Sequence, residues 1–187
     1  MRESVSPDRE TLCVTGKTTR HVVFWLSSFV FYLYFGFEGV LVFMAKEKVV
    51  IASDHAGLLM KAAIGKYLEE MGYEVLDLGT NSTCSVDYPD YSNNLAEALL
   101  KGRAMRGVLI CGTGIGISIA ANRHRHVRAA LCHSETDARF ARLHNNANVL
   151  ALGARTTGIE VALDCLRVFL NSEFEGGRHQ RRVEKFS

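Results

Sequence analysis

"GVLICGTGIGISIAANR", residues 107–123, is the stretch on which the reading of the fold turns. An apolar run from Gly107 to Ile110 stops at Cys111, as a strand buried on both faces would. Glycines follow at 112, 114 and 116, and helix-compatible residues resume from Ile115. A strand, a glycine turn and a helix so closely joined form one half of a βαβ crossover.

The same alternation extends in both directions. Strand-like runs recur at Lys48–Ala52, Tyr73–Asp77, Val127–Leu131 and Val149–Leu152. Helical patterns fill the spaces near 57–71, 88–101, 115–123, 135–144 and 158–170. The last is the clearest. Ile159, Ala162, Leu163, Leu166, Phe169 and Leu170 recur at three- and four-residue steps, an apolar stripe made to lie on a sheet. "SETD" at Ser134–Asp137 has the form of a capping box with the shorter acid. Five strands alternating with helices imply a doubly wound, Rossmann-like α/β fold: a five-stranded parallel sheet in a three-layer αβα sandwich, joined by right-handed crossovers. In such sheets ligands sit beyond the carboxyl ends of the strands.

The residues at those ends carry chemistry. Ser53-Asp54-His55 follow the first run, Cys111 to Gly114 the third, and Gly153-Ala154-Arg155 the fifth. Singly, each has an ordinary explanation: Asp54 as a helix cap, Cys111 as a small buried hydrophobe. Together at one rim they point to a site. The glycine loop fits no common phosphate motif. A P-loop needs Lys then Ser or Thr after its last glycine, where this chain has Ile117; the dinucleotide fingerprint wants Gly or Ala at 117. A receiver domain wants Asp at 111, and a CxxxxxR phosphatase loop wants Arg at 117. What survives is physical. Backbone N–H groups aimed by a helix N-terminus hold an anion or a developing oxyanion, and the same positive end favours negative charge on the Cys111 sulfur. A base beside an oxyanion cradle suits proton abstraction next to a carbonyl.

Bulk properties narrow the field. The chain has 187 residues, enough for one domain, with a formal charge of +2 and 22% charged residues. No basic field points to nucleic acid. Five cysteines (13, 84, 111, 132 and 165) form no CxxC pair, so reduced thiols in a cytoplasmic protein are expected rather than a disulfide framework or zinc cage. Residues 1–43 differ from the rest. Val22–Phe37 carry no charge and eight aromatic residues. Sixteen helical residues reach only ~24 Å of a ~30 Å bilayer core. The segment reads either as a membrane anchor or as an extension before a working start at Met44; deleting it is expected to leave activity intact. The domain boundary is thus set between 43 and 44.

Five segments beyond Met44 resemble the signatures of the type B ribose-5-phosphate isomerases: "SDHAG", "DYPDY", "CGTGIGISIAAN", "RLHNNANVLALGAR" and "EGGRHQRRV". The resemblance runs in order over 44–187. It implies metal-free, cofactor-free interconversion of ribose 5-phosphate and ribulose 5-phosphate in a homodimer or tetramer whose sites are shared between subunits. It makes Cys111 the base that moves the proton between C1 and C2 of a cis-enediolate. Gly112, Gly114, Ile115 and Gly116 would give backbone donors, and Thr113 would shuttle the hydroxyl proton. His144 would be the acid that opens the furanose ring, with Asn145 beside it on sugar oxygens. Asp54, His55 and Tyr88 would line the pocket, and Arg155, Arg178 and Arg182 would bind phosphate. Arg178 and Arg182 stand four apart, so a helical turn would aim both the same way. Allose or galactose 6-phosphate isomerisation is the nearest alternative, and a non-catalytic phosphosugar-binding protein the more distant one. His124 and His126 in "RHRH" read as a solvated turn rather than a metal pair.

Overall fold

The computed structural model describes residues 20–26, 29–36, 39–44 and 46–186. It divides into two compact units at Glu47/Lys48. Cys13 and the polar lead lie outside the described residues.

In the first unit, β1 (Arg20–Leu26), β2 (Phe29–Gly36) and β3 (Gly39–Met44) form an antiparallel meander in the order β1-β2-β3. Leu26 pairs with Phe29, and Gly36 with Gly39. The apolar run considered above as a helical span is therefore folded as strands, in keeping with the preference of aromatic and β-branched residues for pleated backbone. Among the described residues no helix is long and apolar enough to cross a membrane.

The second unit bears out the α/β reading. Its strands are β4 (Lys48–Ser53), β5 (Glu74–Asp77), β6 (Arg106–Cys111), β7 (Ala129–Leu131) and β8 (Val149–Gly153). All pair parallel, in the order β5-β4-β6-β8-β7. The helices are α1 (Leu58–Glu70), α2 (Tyr88–Leu100), α3 (Ile115–Ala121), α4 (Glu135–Asn145), α5 (Ile159–Asn171) and the short α6 (Gln180–Val183).

Side chains alternate across the sheet, and each face has its own core. Val49, Ile51, Val108, Ile110, Leu150 and Leu152 pack with Ile64 and Leu68 of α1, Ala138 of α4, and Leu166 and Phe169 of α5. Val50, Ala52, Leu109 and Cys111 pack with Leu95 of α2 and Ile117 of α3. Burying both faces explains why these strands read as continuous apolar runs. Each large side chain so buried contributes about 1.5–3 kcal/mol.

Several boundaries moved inward by one or two residues. The expected strand from Val127 begins only at Ala129, because the Val127 N–H turns back to the His124 carbonyl and the Arg128 N–H goes to the Asn148 side chain. The expected helix from 57 starts with a 3-10 turn at His55–Gly57 before α1. The capping box formed in altered guise. Ser134 Oγ accepts the Asp137 N–H at 3.2 Å, while Asp137 Oδ2 accepts the His133 N–H at 3.1 Å rather than that of Ser134.

The chain leaves β4 for β5 on one side and returns to β6 on the other. The two strand ends flanking this reversal carry Asp54 and Cys111, and it is at such a reversal that open α/β sheets bind their ligands.

Candidate active site

At the end of β4, Asp54 is 5% exposed and its Oδ1 accepts the N–H groups of Ala56 and Gly57, at 2.9 and 3.1 Å. The capping role weighed from sequence is present, and Oδ1 serves it. Gly57 lets the 3-10 turn press on β6: a Cβ there would stand 2.7 Å from Ile110 Cγ2. His55 Nδ1 accepts the Val86 N–H at 3.2 Å, which assigns the hydrogen to Nε2 and fixes the ring. The loop bearing Val86 is itself anchored. Lys61, buried on α1, pairs with Asp77 at 2.6 Å and donates to Asn81 at 3.2 Å. Sequence reasoning missed Lys61, since nothing in a helical pattern marks a lysine as buried.

At the end of β6, Cys111 is 4% exposed and lies under the first turn of α3. Gly114 adopts φ +77°, where a Cβ would collide with the Leu131 side chain and the Leu152 backbone. Only glycine turns the chain so sharply here. The turn aims the Gly114 N–H at Cys111 Sγ, 3.1 Å away. The Ile115 N–H goes to Thr113 Oγ1 at 3.4 Å. Two of the amides expected to face a ligand thus have partners inside the loop. Tyr88, at the head of α2, covers Gly116 so closely that a Cβ there would be 2.6 Å from its ring. The exposed Arg155 lies over Gly112, its side chain 3.5 Å from where a Cβ would sit. Asp54, His55, Tyr88, Cys111, Gly112, Thr113, Gly114, Ile115, Gly116 and Arg155 therefore share one rim. Of the core thiols outside this rim, burial pushes Cys132 up to about 12 and Cys165 to about 11.

The remaining four expected residues stand elsewhere. α4 begins beside that rim and runs antiparallel to the strands for eleven residues, about 16 Å. His144 and Asn145 lie at its far end. There Arg142 donates to the Ala147 carbonyl, ahead of β8, and to that of Ser172, after α5. The Glu175 N–H bonds the Leu143 carbonyl, which brings residues 175–183 to the same end. Within one chain Cys111 and His144 occupy opposite rims of the sheet.

This second rim has its own order. The His144 ring stacks on His179, centroids 4.2 Å apart and planes 4° from parallel, and touches Phe140 at 4.7 Å. Glu175 Oε2 is 3.8 Å from His144 Nε2 and 3.7 Å from His179 Nε2. Arg178 Nε donates to His179 Nε2 at 3.3 Å. Desolvation, then the neighbouring His144, Arg178 and Arg182, hold His179 below the ordinary histidine range, against a smaller pull from Glu175. His144, Glu175 and His179 gather three potential metal donors. The Arg178 hydrogen bond occupies one of the donor lone pairs, and two guanidinium groups border the cluster, so it is poorly suited to a cation. Arg182 lies in α6 and Arg178 in the turn before it, both exposed. Asn145 also lines an open cavity of about 540 Å³ beside β7, with Phe140, Arg128 and Phe186. His179 and Glu175 were missed from sequence; a histidine four residues from a glutamate across two glycines was the available signal. His124 and His126 are structural pins: His124 Nε2 meets Asn93 Oδ1 at 2.9 Å and His126 Nε2 the Ala96 carbonyl at 2.8 Å.

Fold and rims define a class: a doubly wound α/β protein with a thiol in a glycine anion cradle at the strand ends, and a histidine–arginine cluster at the other end. The chain belongs to the Ribose/Galactose Isomerase family, whose model matches residues 49–186. It is 45% identical over 138 residues to ribose-5-phosphate isomerase B of Escherichia coli strain K12, covering 74% of this chain and 93% of that protein. Among solved structures, ribose-5-phosphate isomerase B of Clostridium thermocellum superposes with a TM-score of 0.73 at 51% identity, over 74% of this chain and 93% of the other. The ribose 5-phosphate isomerase of Thermotoga maritima gives 0.74 at 49%, over 76% and 98%.

Proposed function

We propose that this chain is an aldose–ketose isomerase that interconverts ribose 5-phosphate and ribulose 5-phosphate, working in the cytoplasm as a homodimer or a dimer of dimers. The observation that carries the reading is the Gly114 N–H held 3.1 Å from Cys111 Sγ, an arrangement that steadies a thiolate base beside further backbone donors. Its family membership and its likeness to named isomerases support the substrate.

The reaction opens with the furanose ring. His144 gives a proton to the ring oxygen as the C1–O4 bond breaks, and the C1 hydroxyl loses its own proton to solvent as the aldehyde forms. The Cys111 thiolate then takes the proton from C2, and the loop amides share the charge that develops on O1. Thr113 carries a proton between O1 and O2. Cys111 returns its proton to C1, and the ketose results. Arg155, Arg178 and Arg182 hold the phosphate, for which the planar guanidinium fork is suited. Asp54, His55, Tyr88 and Asn145 line the sugar.

No single chain can do this, because Cys111 and His144 are on opposite rims. A second copy closes the site, bringing His144, Asn145, Arg178 and Arg182 to the Cys111 rim of the first. The apolar surface around that rim favours such a contact: Leu59, Tyr88, Ile115 and Ile119, in the early turns of α1, α2 and α3, are all exposed. Subunit mixing tests the arrangement. Cys111→Ala and His144→Ala proteins, each nearly inactive, are mixed under exchange conditions. Half of the dimers become mixed, each with one intact site of two, so recovery should approach about a quarter of wild-type turnover of ribose 5-phosphate. No recovery after proven exchange would mean that both residues act from one chain. Faster turnover of allose or galactose 6-phosphate by the wild type would move the substrate to six carbons. Binding without turnover of any of the three would make the protein a sugar-phosphate binder.

A further inference from the structure

The stack at the second rim has a chemistry that the isomerase reading leaves unused. His144 and His179 lie ring on ring with centroids 4.2 Å apart. Two imidazolium cations at that distance repel strongly, so the pair holds one proton far more readily than two. Which ring holds it is settled by the surroundings. His179 is 6% exposed and accepts the Arg178 Nε–H at its Nε2. A ring nitrogen that accepts a hydrogen bond carries no hydrogen, so His179 is the neutral Nδ1–H tautomer. His144 is more open, with a third of its side chain exposed. The Glu175 carboxylate stands about equally far from both rings, 3.8 Å from His144 Nε2 and 3.7 Å from His179 Nε2, so burial and the Arg178 hydrogen bond decide between them.

Resting on the reading of His144 as the ring-opening acid, we propose that His179 is a positioning residue: a neutral, buried plate that fixes the His144 ring and leaves the shared proton to it, with Glu175 as counter-charge. The charged and titratable groups around His179 agree with this. His144, Arg178 and Arg182 oppose a charge on it, and Glu175 alone favours one. The device solves a problem particular to this site. The acid must reach into a neighbouring subunit from a helix end, with no backbone cradle like that of Cys111. A flat ring clamped between aromatic neighbours keeps one orientation while its edge stays open to substrate. The glycines at 176 and 177, at φ +64° and +53°, make the turn that swings His179 back onto His144.

The test joins a spectroscopic signature to kinetics. In the ¹⁵N-histidine-labelled wild-type dimer, the His179 ring should show the neutral Nδ1–H pattern throughout pH 5–8. Protonation of His179 before His144 would overturn the proposal. His179→Ala should lower kcat for ribose 5-phosphate by about tenfold with KM within about twofold, since orientation of the acid is lost but the phosphate arginines remain. His179→Phe restores a neutral plate and should recover most of the rate. A rise in KM in place of the fall in kcat, or no rescue by phenylalanine, would show that His179 binds phosphate or only packs. Glu175→Gln alters an exposed side chain, leaves folding undisturbed, and should lower kcat about threefold; an unchanged kcat counts against the counter-charge. An unimpaired His144→Ala enzyme would instead remove the acid assignment itself, whatever the spectra show.

Discussion

The two rims of this sheet are built in different ways. At the strand ends each reactive group is held by the backbone: Asp54 by the amides of Ala56 and Gly57, His55 by that of Val86, Cys111 by that of Gly114. At the far rim side chains hold side chains: His144 by His179 and Phe140, His179 by Arg178. Arg178, Arg182 and Asn145 there are exposed. Backbone cradles need no partner, so the positions of Asp54, His55 and Cys111 are set within one chain. Stacked rings and exposed arginines leave polar edges outward, open to the second copy proposed above. In the proposed reaction the base and Arg155 sit in the fixed rim, and the acid with Arg178 and Arg182 on the adaptable one.

The largest effect should come from the rigid rim. Cys111→Ala removes the proposed base and should cut isomerisation by about 10³- to 10⁴-fold in a coupled assay. Solvent-deuterium exchange at C2 of ribose 5-phosphate should vanish with it. Substrate should still raise the melting temperature, because the arginines and amides remain. Normal exchange in this variant would end the division of labour between the rims.

Next in size is the adaptable rim. Arg182→Ala removes the proposed charge-assisted phosphate contact, of about 1.5–3 kcal/mol, and should raise KM for ribose 5-phosphate by about 10- to 100-fold. Residual turnover of unphosphorylated ribose should barely change. An equal loss on both substrates would show a structural role.

The smallest effect concerns α4, which spans the rims. The backbone N–H of His133, with the Ser134 hydroxyl, holds the Asp137 carboxyl below the usual carboxylate range. A carboxyl depressed in the folded state stabilises above its unfolded value, near pH 4, and that stabilisation is lost as pH falls through the folded value. Asp137→Ala should therefore cost about 0.5–1 kcal/mol at pH 7, and the melting gap from wild type should narrow toward pH 3. A gap that stays constant would assign the effect to helix propensity alone.

Much of the first rim was legible beforehand. Its groups are contiguous in sequence with strand ends, and strand ends betray themselves through apolar runs that stop at small or polar residues. Cys111 needs only its own loop, and Gly114 its own φ. The second rim was legible in residue type but not in place. Arg178, Arg182 and His144 could be picked out by resemblance, yet their separation from Cys111 depends on α4 running back along the sheet. Lys61 gave no sign and His179 with Glu175 only their spacing across two glycines, since burial of a polar side chain such as Lys61 or His179 is a property of what packs over it. The antiparallel meander of 20–44 was equally hidden, because an uncharged aromatic run serves a helix or strands alike.

The sequence by itself determined the alternation of strands and helices, the burial of both sheet faces and the glycine turn beneath Cys111, because each follows from periodicity or from steric limits within a few residues. The tertiary structure alone decided the order β5-β4-β6-β8-β7, the stacking of His144 on His179 and the division of the reactive groups between two rims. These depend on contacts between segments tens of residues apart, and no local pattern encodes the direction in which a helix carries its last turn.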